Sequence, residues 1–141
     1  MAGIRLGYGI TRDNRLLQDM TAAGAPWSVS GIAQRAGTAA LKETEYVKRA
    51  VEMIEREREF LTAGLKRLGF TVYPSNANYL LFRAEEELYE RLLAEGVLIR
   101  QCGNYRGLGE AYYRICVGLH KDNEQLLEIL AEKKGSSVWQ R

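Results

Sequence analysis

Two arginines carry the most visible chemistry in this chain. Arg100 follows Val97, Leu98 and Ile99, and Arg114 stands between Tyr113 and Ile115. A guanidinium keeps its charge, so placing one among apolar neighbours without an anion is costly. Its planar fork of donors matches a carboxylate or a phosphate. Residues 97–102 and 112–118 read as short strands joined by a glycine-rich loop. Arginines brought together on such strands repel one another unless something negative sits between or beside them. The pattern therefore points to an anion-binding pair for a ligand with one or two acidic groups. The alternative is that each arginine pairs with a glutamate or faces water from an edge strand.

Other reactive side chains give less. Arg5 lies inside the short apolar stretch 4–10, broken by Gly7 and Gly9, and it too calls for an anion. The stretch reads as a buried strand with close backbone approach. Cys102 and Cys116 would be near neighbours if the two arginine strands pair. Two thiols without further ligands imply neither a metal site nor a disulfide framework, and a reduced, cytoplasmic protein is the expectation. The single histidine, His120, has no partner histidine and no Cys-x-x-Cys near it. It reads as a helix-opening residue rather than a base or a metal ligand.

The 141 residues suffice for one ordinary core, and 46% hydrophobic with 27% charged residues is a globular balance. A net charge of +2 is too small to argue for nucleic acid or an anionic membrane surface as partner. No apolar run is long enough to span a bilayer. The first ten residues lack the basic stretch and apolar core of a secretion signal.

Residues 11–14 form a turn and cap cluster, and 14–23 have a weak helical pattern with Leu16, Leu17, Met20 and Ala23 on one side. Pro26 stops it. Ser28 or Ser30 can cap a small-residue helix over 31–41. Residues 44–68 read as a long charged helix, with Val47, Val51, Ile54, Leu61, Leu65 and Leu68 as its apolar stripe. Glu55, Glu57 and Glu59 alternate with Arg56 and Arg58 on a face expected to be solvated. Gly69 ends this helix. Strands are predicted at 71–73 and 77–83, and a helix over 85–95 with Leu88, Leu92 and Leu93 inward and Gly96 as its stop. Asp122 and Gln125 resemble a capping box for a last helix through Leu126, Leu127, Ile129 and Leu130. Residues 135–141 read as a frayed tail.

From residue 44 the order is thus helix, strand, strand, helix, strand, strand, helix, an α/β unit of two layers with helices on one side of a mixed sheet. Residues 1–43 have no sheet of their own to pack on. The expected division is 1–43 as a piece of a larger domain and 44–141 as a small carboxy-terminal domain.

Several motifs resemble one family. Gly3-Ile4-Arg5-Leu6-Gly7-Tyr8 is similar to the G-x-R-x-G-Y segment of fold-type I enzymes dependent on pyridoxal phosphate. Pro26-Trp27-Ser28-Val29-Ser30 resembles the loop that follows there, and residues 76–82 resemble a strand that opens the small domain's core. Residues 98–108, LIRQCGNYRGL, are most similar to the threonine-phosphate decarboxylases of cobalamin synthesis, relatives of histidinol-phosphate aminotransferase. The resemblance implies that Arg5 contacts the cofactor phosphate and that Arg114, with Arg100 as companion, binds the substrate's acidic groups. It implies pyridoxal phosphate in the full-length parent, a small phosphorylated amino acid as substrate, and a homodimer; the composition calls for no nucleic acid and no membrane as partner, and the cysteines for a cytoplasmic location.

In that family the lysine that carries the cofactor lies upstream of Arg5, outside these residues. Lys48 and Lys66 fall on the predicted long helix and Lys42 just after the predicted helix over 31–41, all of them away from the motif. The chain alone is therefore expected to be inactive, with no catalytic residue of its own. The expected function is part of a threonine-phosphate decarboxylase. A histidinol-phosphate-type aminotransferase is the alternative, and a non-catalytic phosphate-binding or self-association module is the alternative of another class.

Overall fold

Local signals build the first helices. Asp13 accepts from the amides of Arg15 (2.9 Å) and Leu16 (3.2 Å), two of the donors that a helix start leaves open. Helix α1 follows as Asn14–Ala23. Of the two candidate serines, Ser30 is the cap of α2, Gly31–Ala40, its hydroxyl accepting from Ala33 N at 3.2 Å. The computed structural model describes residues 2–135. The chain divides into two compact units, Met1–Lys48 and Arg49–Arg141.

In the first unit Ala33 and Gly37 are the buried residues among those described, and Leu6 packs over Gly37. Leu16, Leu17 and Met20 of α1 stay exposed. The strand predicted at 4–10 does not form. Ala2–Ile4 makes one 3-10 turn, and the backbone after it is irregular. Tyr8 and Ile10 are exposed. An isolated extended segment has no neighbouring strand to take its amides and carbonyls, so alternation of apolar residues alone does not make it a strand.

Helix α3, Thr44–Arg67, contributes Leu61 and Leu65 to a buried core, with Ile54 and Leu68 partly covered. Its upstream stripe residues Val47 and Val51 are exposed. Gly69 takes φ +79°, its N–H bonds Lys66 O (2.9 Å), and Phe70 N–H reaches Leu65 O (3.1 Å). That is how a left-handed glycine closes a helix. The strands are β1 (Thr71–Val72), β2 (Tyr79–Arg83), β3 (Arg100–Gln101) and β4 (Tyr112–Cys116). Helix α4, Leu88–Ala94, lies between β2 and β3 in sequence, and α5, His120–Gly135, follows β4.

The sheet order is β1-β2-β4-β3, and every neighbouring pair is antiparallel. The sheet is therefore not mixed. The α4 crossover returns the chain so that β2 and β3 run the same way, but β4 inserts between them and pairs with both. The alternating burial of β2 and β4 puts Leu80, Phe82, Tyr113 and Ile115 on one face. Leu61 and Leu65 of α3, Leu88 and Leu92 of α4 and Leu130 of α5 cover that face. The other face carries the alternate residues of the strands.

Two local expectations are corrected. Leu93 is exposed, because only the i, i+4 pair Leu88 and Leu92 shares the inward side of α4. Helix α5 opens at His120 rather than at a capping box on Asp122. The Asn123 side chain closes that start, accepting from Gly118 N and donating to Gly118 O, both at 3.1 Å. Beyond Gly135, the predicted tail lies outside the described residues.

Candidate functional site

Arg100 on β3 and Arg114 on β4 are direct register partners. Residues directly opposite in an antiparallel pair project to the same face. Since Tyr113 and Ile115 point into the core, both arginines stand on the face away from the helices. Next to them in register on β2 lie Leu81, opposite Arg114, and Tyr79, opposite Cys116. The guanidinium pair was expected among apolar neighbours, but Arg114 is half-buried and Arg100 exposed. The apolar residues that flank them in sequence point to the other side of the pleat.

Each guanidinium is held by neutral groups. Arg114 Cζ lies 4.8 Å from the centroid of the Tyr79 ring. Arg100 donates through Nη2 to Asn104 Oδ1 at 3.0 Å, and its Cζ is 5.7 Å from the Tyr105 ring. Among the described residues neither arginine forms an ion pair with a carboxylate. Like charges directly opposite across a strand pair destabilise it. An acidic ligand lying across the pair removes that repulsion and fills both donor forks.

Both arginines line a pocket of about 700 Å³, together with Asn78, Tyr79, Cys116 and Asp122. Arg100 also borders a neighbouring pocket of about 690 Å³ with Asn104 and Glu110. The Glu110 carboxylate is engaged by Gln101, whose Nε2 donates to Oε2 at 3.3 Å. Cys102 is buried and Cys116 exposed, and both thiols are free. The Cys102 amide bonds Tyr112 O, four residues along β4 from Cys116, so the register keeps the two cysteines apart.

A buried polar cluster adjoins this pocket through Asn123. Glu57 is 1% exposed, although its neighbours in sequence suggested a solvated face. It accepts from His120 Nδ1 at 2.9 Å, Asn123 Nδ2 at 3.1 Å and Arg56 Nε at 3.2 Å. Burial alone pushes this carboxyl up. The bonds from His120, Asn123 and Arg56 outweigh it and hold the group below its ordinary value. The hydrogen bond to Glu57 raises the His120 imidazole, against the opposing effect of burial. His120 Nε2 lies 3.3 Å from Glu124 Oε1, so both ring nitrogens face carboxylates. His120 opens α5 as its sequence suggests, and it also fastens that opening to α3.

Arg5, in the first unit, is exposed and holds φ +54°, a left-handed conformation uncommon outside glycine. Trp27 shares that feature at φ +61° and is 97% exposed. Among the described residues no group of three or more His, Cys, Asp or Glu side chains is arranged to hold a metal ion. No helix of the described residues is long and apolar enough to cross a membrane. Sequence reasoning missed Tyr79, Asn104 and Tyr105. For Asn104 and Tyr105 the signal was their place four and five residues after Arg100, within the 98–108 motif. For Tyr79 it was alternation with the buried Leu80 and Phe82.

Residues 1–130 match the family described as aminotransferase class I and II. The histidinol-phosphate aminotransferase of Methanocella arvoryzae is 38% identical over 96% of this chain, which spans 38% of that relative. The threonine-phosphate decarboxylase of Salmonella typhimurium is 39% identical over 91% of the chain, which spans 36% of it. Among solved structures, the histidinol-phosphate aminotransferase from Clostridium acetobutylicum superimposes with a TM-score of 0.88 at 34% identity, covering 95% of this chain and 42% of that one. The chain thus spans well under half the length of the relatives it matches.

Proposed function

The chain belongs to the class I and II aminotransferase family, and on that premise we propose that it is the carboxy-terminal part of a pyridoxal-phosphate enzyme acting on a phosphorylated amino acid. The reaction we assign is decarboxylation of L-threonine O-3-phosphate. The observation that carries this reading is the Arg100–Arg114 pair, two directly opposed cations that form no ion pair with a carboxylate among the described residues. Threonine phosphate brings two acidic groups, a carboxylate and a phosphate ester. Histidinol phosphate brings one, its phosphate. A pair of donor forks on one face suits the ligand with two anions. The similarity to a threonine-phosphate decarboxylase supports the assignment. Similarity to histidinol-phosphate aminotransferases in sequence and fold favours amino transfer as the second reading.

This family depends on pyridoxal phosphate. Arg5 fits the phosphate end of that group, because it is an exposed cation without an ion pair on a tightly turned backbone. When bound, the cofactor draws electrons from the bond that breaks. Arg100 and Arg114 contribute no proton chemistry. They hold the substrate's acidic groups and so fix which of its bonds is presented for cleavage, an effect of position. We assign residues 1–43 to the larger cofactor-binding domain, a reading supported by the uncovered Leu16, Leu17 and Met20 stripe of α1, and residues 44–141 to the small domain.

The test uses the full-length enzyme that contains this chain. Release of carbon dioxide from O-phospho-L-threonine is the expected outcome. Removing one partner of a hydrogen-bonded charge pair costs about 2–5 kcal/mol, so Arg114→Ala should lower kcat/KM at least about thirtyfold. Amino transfer from histidinol phosphate to a 2-oxo acid, without carbon dioxide from threonine phosphate, would establish the second reading instead.

A further inference from the structure

We infer that Asn104 and Tyr79 are positioning residues that aim the two guanidinium groups while leaving their charge free for the ligand. The inference rests on the reading of Arg100 and Arg114 as the substrate clamp. It concerns what holds that clamp in shape when no substrate is there.

An unbound arginine on an exposed strand has many rotamers, and freezing them on binding costs affinity. The simplest way to orient a guanidinium is a carboxylate, but a carboxylate cancels the charge the ligand needs. Here the orienting groups are neutral. The Asn104 amide oxygen accepts from Arg100 at 3.0 Å and supplies direction with no net charge. The Tyr79 ring lies beneath Arg114 at 4.8 Å, and its π-face attracts a cation without forming an ion pair. Tyr79 is fixed in turn by the sheet, opposite Cys116 and two residues before Leu81, the register partner of Arg114.

The acidic side chains bordering the two arginine pockets are engaged elsewhere or form no ion pair with either arginine. Glu110 borders the Arg100 pocket and takes its hydrogen bond from Gln101. Asp122 borders the shared pocket from α5 and forms no ion pair with Arg100 or Arg114. The loop that carries Asn104 is set by its own backbone bonds, Tyr105 N to Cys102 O at 3.0 Å and Leu108 N to Tyr105 O at 3.1 Å. Asn104 is therefore presented by a turn that does not depend on a ligand. The neutrality of the two supports is the specific claim, and changing charge at constant shape tests it.

In the full-length enzyme containing this chain, freed of pyridoxal phosphate so that no ligand is turned over, equilibrium binding of O-phospho-L-threonine and of L-threonine would be measured by calorimetry. Asn104→Asp keeps the shape and adds the missing negative charge. It should weaken phosphothreonine binding about tenfold, a change of about 1.4 kcal/mol that lies between the water and protein-surface values for two unit charges in contact, and should weaken threonine binding less. Asn104→Ala should weaken it only about threefold, the loss of orientation without neutralisation. Tyr79→Phe keeps the ring and should bind within about twofold of the parent, while Tyr79→Leu should lose about threefold. A purely structural role for Asn104 would affect both ligands alike and show as a lowered melting temperature. If Arg100→Ala and Arg114→Ala lose phosphothreonine but Asn104→Asp binds it as the parent does, the positioning role is wrong and the clamp stands. If the arginine variants bind it unchanged, or the parent does not bind it, the clamp fails and the inference with it.

Discussion

Eleven side chains between Leu61 and Leu130 make one buried core, drawn from three helices and from strands that are distant in sequence. Within the first 48 residues Ala33 and Gly37 are the buried ones described, while Leu16, Leu17, Met20, Ile32 and Leu41 remain exposed. Yet α1 and α2 are regular helices with proper caps. The difference separates two sources of order. Asp13 and Ser30 start helices by satisfying amides a few residues away, which needs no tertiary partner. The second unit is ordered by burial, and each of its helices gives the sheet its apolar side. It follows that the same class of substitution should have unequal consequences in the two regions.

The largest contrast is expected in the core. Phe82 is fully buried, with its ring 5.6 Å from Phe70 and 5.8 Å from Tyr113. Phe82→Ala should destabilise the second unit by about 3–5 kcal/mol, through lost burial and the cavity left behind. Urea denaturation followed by near-ultraviolet circular dichroism reads this directly. Trp27→Ala, at a 97% exposed side chain, should leave the midpoint within about 0.5 kcal/mol. A comparable loss from both would show that the first unit depends on a core as the second does.

A sharper comparison of smaller size uses two helical glycines. A methyl group at Gly64 would run into the Leu127 side chain from α5, and one at Gly37 into the Leu6 side chain. Leu127 is half-buried and packs against the core, so Gly64→Ala should cost about 1–3 kcal/mol by overpacking. Leu6 sits in an irregular stretch that can shift. Gly37→Ala should come out near neutral, because the helix gains about 0.5–1 kcal/mol of propensity in return. Thermal melts of the two variants decide it, and equal losses would contradict the distinction.

The smallest effect is a drift with pH confined to the second unit. Glu57 has a folded pKa below its ordinary 4.5, so its contribution is fully present above that pH and fades as pH falls through the lowered value. His120 has a folded pKa above its ordinary 6.5, so its contribution is fully present below 6.5 and fades as pH rises through the raised value. Stability from the pair should therefore be greatest between pH 4.5 and 6.5. Denaturation midpoints across pH should fall on both sides of that window. Glu57→Gln should flatten both limbs, and His120→Gln should remove the alkaline one and shrink the acid one, because the bond from His120 helps hold the Glu57 carboxyl down. A midpoint that keeps rising above pH 6.5 in the parent would contradict the link between α3 and α5.

Features governed by near neighbours along the chain were legible in advance. The span 14–23 became α1 residue for residue, α3 opened at Thr44, and Gly69 and Gly96 both stop helices with positive φ. Caps, stripes and glycine stops act over a few residues, and a reader of the chain can see them. The arginine pair was visible as two cations on two candidate strands. Their direct opposition and their neutral supports came only with the register. Glu57 looked like one more charge on a wet helix face, because the partners that bury it stand 63 and 66 residues away. The strand at 4–10 failed for the opposite reason, having the right side chains and no neighbouring strand. Pairing and burial are decided by what arrives from elsewhere in the chain. No local pattern encodes that arrival, so the tertiary structure alone settled it.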